Sequence, residues 1–139
     1  SEIWLKLWGN MTFNPISSLT HGTLEGICQY PLTKELARNM MAEAQTIAEK
    51  LGVVFRVDIE RRISGAEKVG KHKTSMLQDL EAGNSLEIDA LLGSVIELGH
   101  ITKTPMPCLS TVFALTKLLN TKVQTSQGRL ALPELALEH

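Results

Sequence analysis

Between Ile88 and Ile96 the large apolar residues fall at Ile88, Leu91, Leu92, Val95 and Ile96. That i, i+3, i+4, i+7, i+8 spacing gathers five side chains on one side of a helix, whereas a strand would scatter them over both faces. The density of the stripe predicts a deeply packed helix, and Gly93 on it predicts a close approach by a second helix. Leu36, Met40, Ala44, Ile47, Ala48 and Leu51 form another stripe, with Lys34, Glu35, Arg38, Glu43 and Glu49 covering the remaining surface. Gly52 stands where a helix-ending glycine belongs. The one β-like run, Val53-Val54-Phe55-Arg56-Val57, is too short and isolated to found a sheet. It reads as an extended connection to a helix from Ile59 to about Lys68, capped by Asp58. These signals specify an all-α domain of six or seven helices.

The remaining segments add polar groups at informative places. Trp4, Leu7, Trp8 and Met11 make an apolar stripe near the start, and Lys6, Asn10 and Asn14 follow one another at i, i+4 and i+8. At about 100° per residue those three drift by only roughly 80°, so they share one helix face. Asparagine is a mediocre helix former, and two in line with a lysine make an unusual surface. Pro15 lacks the N–H of a helix interior, which predicts a kink that aims Asn14 inward. A turn is expected over residues 16–22, with His21 at the surface or capping. Thr23 then opens a short helix that ends near Tyr30-Pro31 and buries Cys28 as an inert thiol.

Residues 72–89 read as a helical segment, a Gly83-Asn84-Ser85 turn and the capped start of the next helix. Ser75, Gln78, Asp79, Glu87 and Asp89 crowd around the anchors Met76, Leu77, Leu80, Leu86 and Ile88. Thr104-Pro105-Met106-Pro107 breaks the pattern before a last helix carrying Leu109, Val112, Phe113 and Leu119. Residues 121–133 are polar and weakly periodic, a frayed tail or a strand-like arm. Leu137-Glu138-His139 has the look of a tag remnant.

Composition removes several function classes. At 139 residues the chain is one domain with room for a core free of metal or disulfide staples. Lys plus Arg number 14 against 15 Asp plus Glu, so no overall field draws nucleic acid or an anionic membrane. Arg61-Arg62 and Lys71 to Lys73 read as solvated faces. Cys28 and Cys108 lie far apart with no metal-ligand spacing, which predicts no metal and a reduced, cytoplasmic setting. No apolar run approaches the roughly 20 residues of a membrane span.

The string Lys6-Leu7-Trp8-Gly9-Asn10-Met11-Thr12-Phe13-Asn14-Pro15 resembles the start of the C-terminal domain of ketopantoate reductases (2-dehydropantoate 2-reductases). Ser75-Met76-Leu77-Gln78-Asp79 and Leu86-Glu87-Ile88-Asp89, within the stretch from His72 to Gly99, resemble that family's second signature. The resemblance covers roughly residues 3–119. It implies a helical fold like the C-terminal domain of 6-phosphogluconate dehydrogenase, with residues 1–120 as a substrate and catalytic domain and 121–136 as a tail. It further implies NADPH as hydride donor, a small 2-keto acid as substrate, and a cleft shared with an N-terminal Rossmann domain. Lys6 matches the lysine that protonates the ketone oxygen, and Glu87 a glutamate that positions substrate and supports activity. Asn10 and Asn14 match substrate-binding asparagines, and Ser75 a serine on the carboxylate.

The chemistry suits these types, since an ammonium both stabilises and protonates the oxyanion that hydride attack creates. The departure is that no G-x-G-x-x-G occurs in the chain, so the nucleotide-binding domain is expected to be absent and the chain inactive alone. The face left for that domain is also a candidate surface for pairing two copies. A helical interaction or dimerisation module without chemistry explains the stripes equally well, but not the five polar residues together. A reductase of a different 2-keto acid is the other alternative.

Overall fold

Helices alone account for the regular structure in the computed structural model, which describes residues 2–125. The expected tag remnant at 137–139, and the expected tail beyond residue 125, lie outside them. The helices are α1 (Glu2–Thr20), α2 (Leu24–Gln29), α3 (Pro31–Lys50), α4 (Ile59–Val69), α5 (Ser75–Ala82), α6 (Ser94–Ile101) and α7 (Pro107–Thr125). A single π-helical turn, Asp89–Gly93, runs straight into α6.

α1 is the central element and packs against α2, α3, α5, α7 and the π turn. It also departs most from expectation. The turn over residues 16–22 does not form, and the helix continues through Pro15 to Thr20. Residues 11–18 are all buried, so packing outweighs the roughly 3 kcal/mol that an interior proline costs. Ser17 and Ser18, which look like turn residues, donate instead to the carbonyls of Asn14 (3.0 Å) and Pro15 (2.9 Å). His21, exposed and at φ +61°, then ends the helix in the left-handed region.

Local signals placed the shorter elements well. Thr23 accepts from Gly26 N (3.1 Å) and Asp58 from Arg61 N (2.7 Å), so both capping residues act as expected. Gly52 has φ +90°, beyond reach of most L-residues, and residues 53–57 are non-helical. The helical reading of 72–74 is corrected: Thr74 is the cap of α5, accepting from Leu77 N at 3.1 Å. The expected side-chain cap on the next helix is absent, and Asn120 Oδ1 instead accepts from Leu86 N at 2.8 Å.

Two packing expectations also change. A Cβ on Gly93 would touch Phe113 at an ordinary 3.4 Å, so no close approach depends on that glycine. Gly99 is the tight position, where a Cβ would lie 1.9 Å from Met106 Sδ and 3.1 Å from Ile47 Cδ1. Residues 121–125, expected to be tail or arm, form the last turn of α7, with Val123 buried. Glu43, expected on the solvent face of α3, accepts from Cys108 N (3.0 Å) and Leu109 N (2.9 Å) and so caps α7 from another helix.

Candidate active site

Asn10 and Asn14 reach the same cleft because one turn of α1 separates them, which puts both on one face of the helix. The cleft has a volume of about 210 Å³. Gly9, Asn10, Phe13 and Asn14 of α1 form one wall, and Arg62, Ala66 and Val69 of α4 another, with Leu24, Thr74 and Ser75 completing it. Asn14 is buried, whereas Asn10 is half-buried and Ser75 exposed. The start of α5 is held to α1 by a hydrogen bond between the Thr74 and Ser17 hydroxyls. Glu25 N donating to Gly70 O at 3.0 Å ties the preceding connection to α2. These links position Ser75 as the first residue of α5, where the helix dipole favours negative charge.

Hydrogen bonding leaves this lining unsaturated. Among the described residues, the amides of Asn10 and Asn14 and the hydroxyl of Ser75 bond to no other side chain. Buried or half-buried amides ordinarily find a partner, so a cleft of open ones is suited to a polar ligand.

Arg62 is the residue that sequence reasoning missed. Ile59, Arg62, Ile63 and Ala66 follow the i, i+3, i+4, i+7 rule, so the arginine stands in an apolar slot of the α4 stripe. That slot was the available signal. Its exposed neighbour Arg61 fits a solvated face, whereas Arg62 is half-buried and lies against the backbone of Gly9. A Cβ on Gly9 would fall 1.9 Å from Nη2, so the helix surface is hollowed where the guanidinium rests. Burial pulls the Arg62 pKa down, and the Cys28 thiol opposes that shift. Among the described residues no carboxylate pairs with it, the ion pairs being Glu35–Arg38, Arg38–Glu60, Lys73–Glu81 and Asp89–Lys117.

Beneath the cleft, Cys28 is buried, with Sγ 3.7 Å from Ile63 O. Burial first, then Glu67, pushes its thiol up to about 11, partly offset by Lys34 and Arg62. It is not a nucleophile at neutral pH.

Lys6 and Glu87 do not line the cleft. Lys6 is exposed one turn before Asn10, about 6 Å along the α1 axis. Glu87 is exposed between the buried anchors Leu86 and Ile88, just ahead of the π turn that packs on α1. The two form no ion pair with each other. The structure therefore brings Asn10, Asn14 and Ser75 together and leaves Lys6 and Glu87 at the surface. Among the described residues no group of His, Cys, Asp and Glu is placed to hold a metal. Among the described residues, no helix is long and apolar enough to cross a membrane.

Residues 1–120 match the family described as ketopantoate reductase PanE/ApbA, C-terminal. A 2-dehydropantoate 2-reductase of Mesorhizobium japonicum is 56% identical over 119 residues, which are 86% of this chain and 36% of that protein. The 2-dehydropantoate 2-reductase of Methylococcus capsulatus superposes with a TM-score of 0.77 at 34% identity, over 86% of this chain and 42% of that one. A ketopantoate reductase of Ralstonia eutropha gives 0.81 at 27% identity, over 87% and 41%. The chain spans little more than a third of the length of the curated relatives it matches.

Proposed function

This chain belongs to the ketopantoate reductase C-terminal domain family, and on that premise we propose that it is the substrate-binding and catalytic part of an NADPH-dependent 2-dehydropantoate 2-reductase. The observation that carries the reading is the convergence of Asn10, Asn14 and Ser75, all unpartnered, on one cleft with Lys6 a turn away on the same helix. The residues present do not supply a dinucleotide site, for the chain has no G-x-G-x-x-G and the described residues contain no strand. NADPH, which supplies the hydride, is therefore assigned mainly to a nucleotide-binding domain outside this sequence.

The chain's own residues do the rest. Asn10 and Asn14 read oxygens of the keto acid with neutral amides, and Ser75 meets its carboxylate at the start of α5. Lys6 protonates the ketone oxygen as negative charge builds on it. Glu87 accepts a substrate hydroxyl and supports the ammonium electrostatically. The exposure of Lys6 and Glu87 suits residues that meet a second domain. A homodimer is compatible with this assembly, and the working compartment is the cytoplasm.

Replacing Lys6 with Ala in the full-length enzyme tests the assignment. Loss of a general acid typically costs 10²–10⁴-fold, so kcat for ketopantoate should fall by about that factor while NADPH affinity holds. Near-normal turnover would remove Lys6 from the mechanism.

A further inference from the structure

Resting on that reading of the cleft, we infer that Arg62 is the cationic anchor for the carboxylate of the 2-keto acid, held in place by the missing side chain at Gly9.

A keto acid brings one full negative charge into the site, and desolvating it without a counter-charge is costly. The groups assigned by resemblance do not provide that charge. Asn10, Asn14 and Ser75 are neutral, and Lys6 is committed to the ketone oxygen. Arg62 lines the same cleft, is partly withdrawn from water and has no carboxylate partner among the described residues. A guanidinium offers the planar pair of donors that a carboxylate accepts. Arg62 is thus charged, half-buried and unpaired, at a site whose proposed ligand carries the complementary group.

Gly9 gives a second, independent handle. Glycine in a helix interior is less favourable than any residue but proline, yet it occurs in the middle of α1 where the guanidinium lies on the backbone. Because the colliding atoms are the tip of a flexible side chain, an added methyl moves Arg62 rather than the helix. Gly9→Ala should therefore stabilise the fold slightly while weakening the substrate, a sign combination that a structural role for Gly9 does not produce.

The test uses the full-length reductase with NADPH, assayed on ketopantoate and on its neutral amide. Hydrogen bonds to charged groups contribute enough that Arg62→Met should raise KM for the acid about 10–100-fold. Turnover at saturation and the kcat/KM for the amide should change less than about 3-fold. Arg62→Lys should recover part of the lost affinity, and Gly9→Ala should raise KM in the same direction with an unchanged or higher melting temperature. Unaltered discrimination between acid and amide in the Arg62 and Gly9 variants would overturn this inference while leaving the reductase reading intact. Failure of the wild-type enzyme to oxidise NADPH with any 2-keto acid would overturn the reading itself, and the inference with it. If Arg62→Met does not fold, Gly9→Ala decides alone.

Discussion

At the scale of single residues, the environment separates side chains that look alike in sequence. Arg61 and Arg62 are adjacent, yet one faces water and the other the cleft, because only position 62 falls on the buried stripe of α4. Cys28 and its surroundings lead to a pH dependence whose sign follows from the shift. The thiol is raised from an ordinary 9.0 to about 11, so the unfolded chain releases a proton between those values that the native state retains. Stability from this group is complete below pH 9 and declines as pH rises toward 11. Unfolding free energies of the parent and of Cys28→Ala, measured by urea titration from pH 8 to 11, should show a steeper alkaline decline in the parent. Parallel curves would mean the thiol is not perturbed.

At the scale of elements, periodic apolar stripes and capping residues were legible, and what they missed is tertiary. The helical face of α3, both side-chain caps and the end at Gly52 could be read locally, because each depends on residues within a turn or two. Continuation of α1 through Pro15 could not, since it depends on α3, α5 and α7 burying residues 11–18. Gly93 and Gly99 look alike in sequence, and only the positions of Met106 and Ile47 make a Cβ tight at one of them. Of the candidate site, Asn10, Asn14 and Ser75 could be picked out as candidates and share a cleft, but their meeting Arg62 required the fold. Glu43 belongs to the same class of long-range effect, capping a helix 65 residues away. Glu43→Ala leaves two N–H groups of the first turn of α7 without their acceptor. By analogy with ordinary caps it should destabilise by about 1–2 kcal/mol, measurable by chemical denaturation. Glu43→Gln retains one acceptor and should cost less. Equal stability of the parent and Glu43→Ala would show that water replaces the carboxylate.

At the scale of the whole molecule, the described helices bury one continuous core running from Trp8 in α1 to Val123 in α7. A domain of this size with that core should fold on its own. It should not turn over, because positioning of donor against acceptor contributes roughly 7–11 kcal/mol of a barrier and the chain holds no donor. Residues 1–139 are therefore expected to melt cooperatively by circular dichroism and to show no ketopantoate-dependent loss of nicotinamide absorbance; turnover would place a nucleotide site within the chain. The seam between α1 and α3 has an optical corollary. Trp8 is 1% exposed, its indole N–H donates to Met41 O at 2.9 Å, and the Phe55 ring lies 4.8 Å away. An indole so enclosed emits at shorter wavelength than one in water, and its red shift follows the opening of the helix that carries Lys6, Asn10 and Asn14. With Trp4 replaced by Phe, the protein holds a single tryptophan seated behind its own candidate catalytic face, selectively excited beyond the absorption of Tyr30, with no label attached.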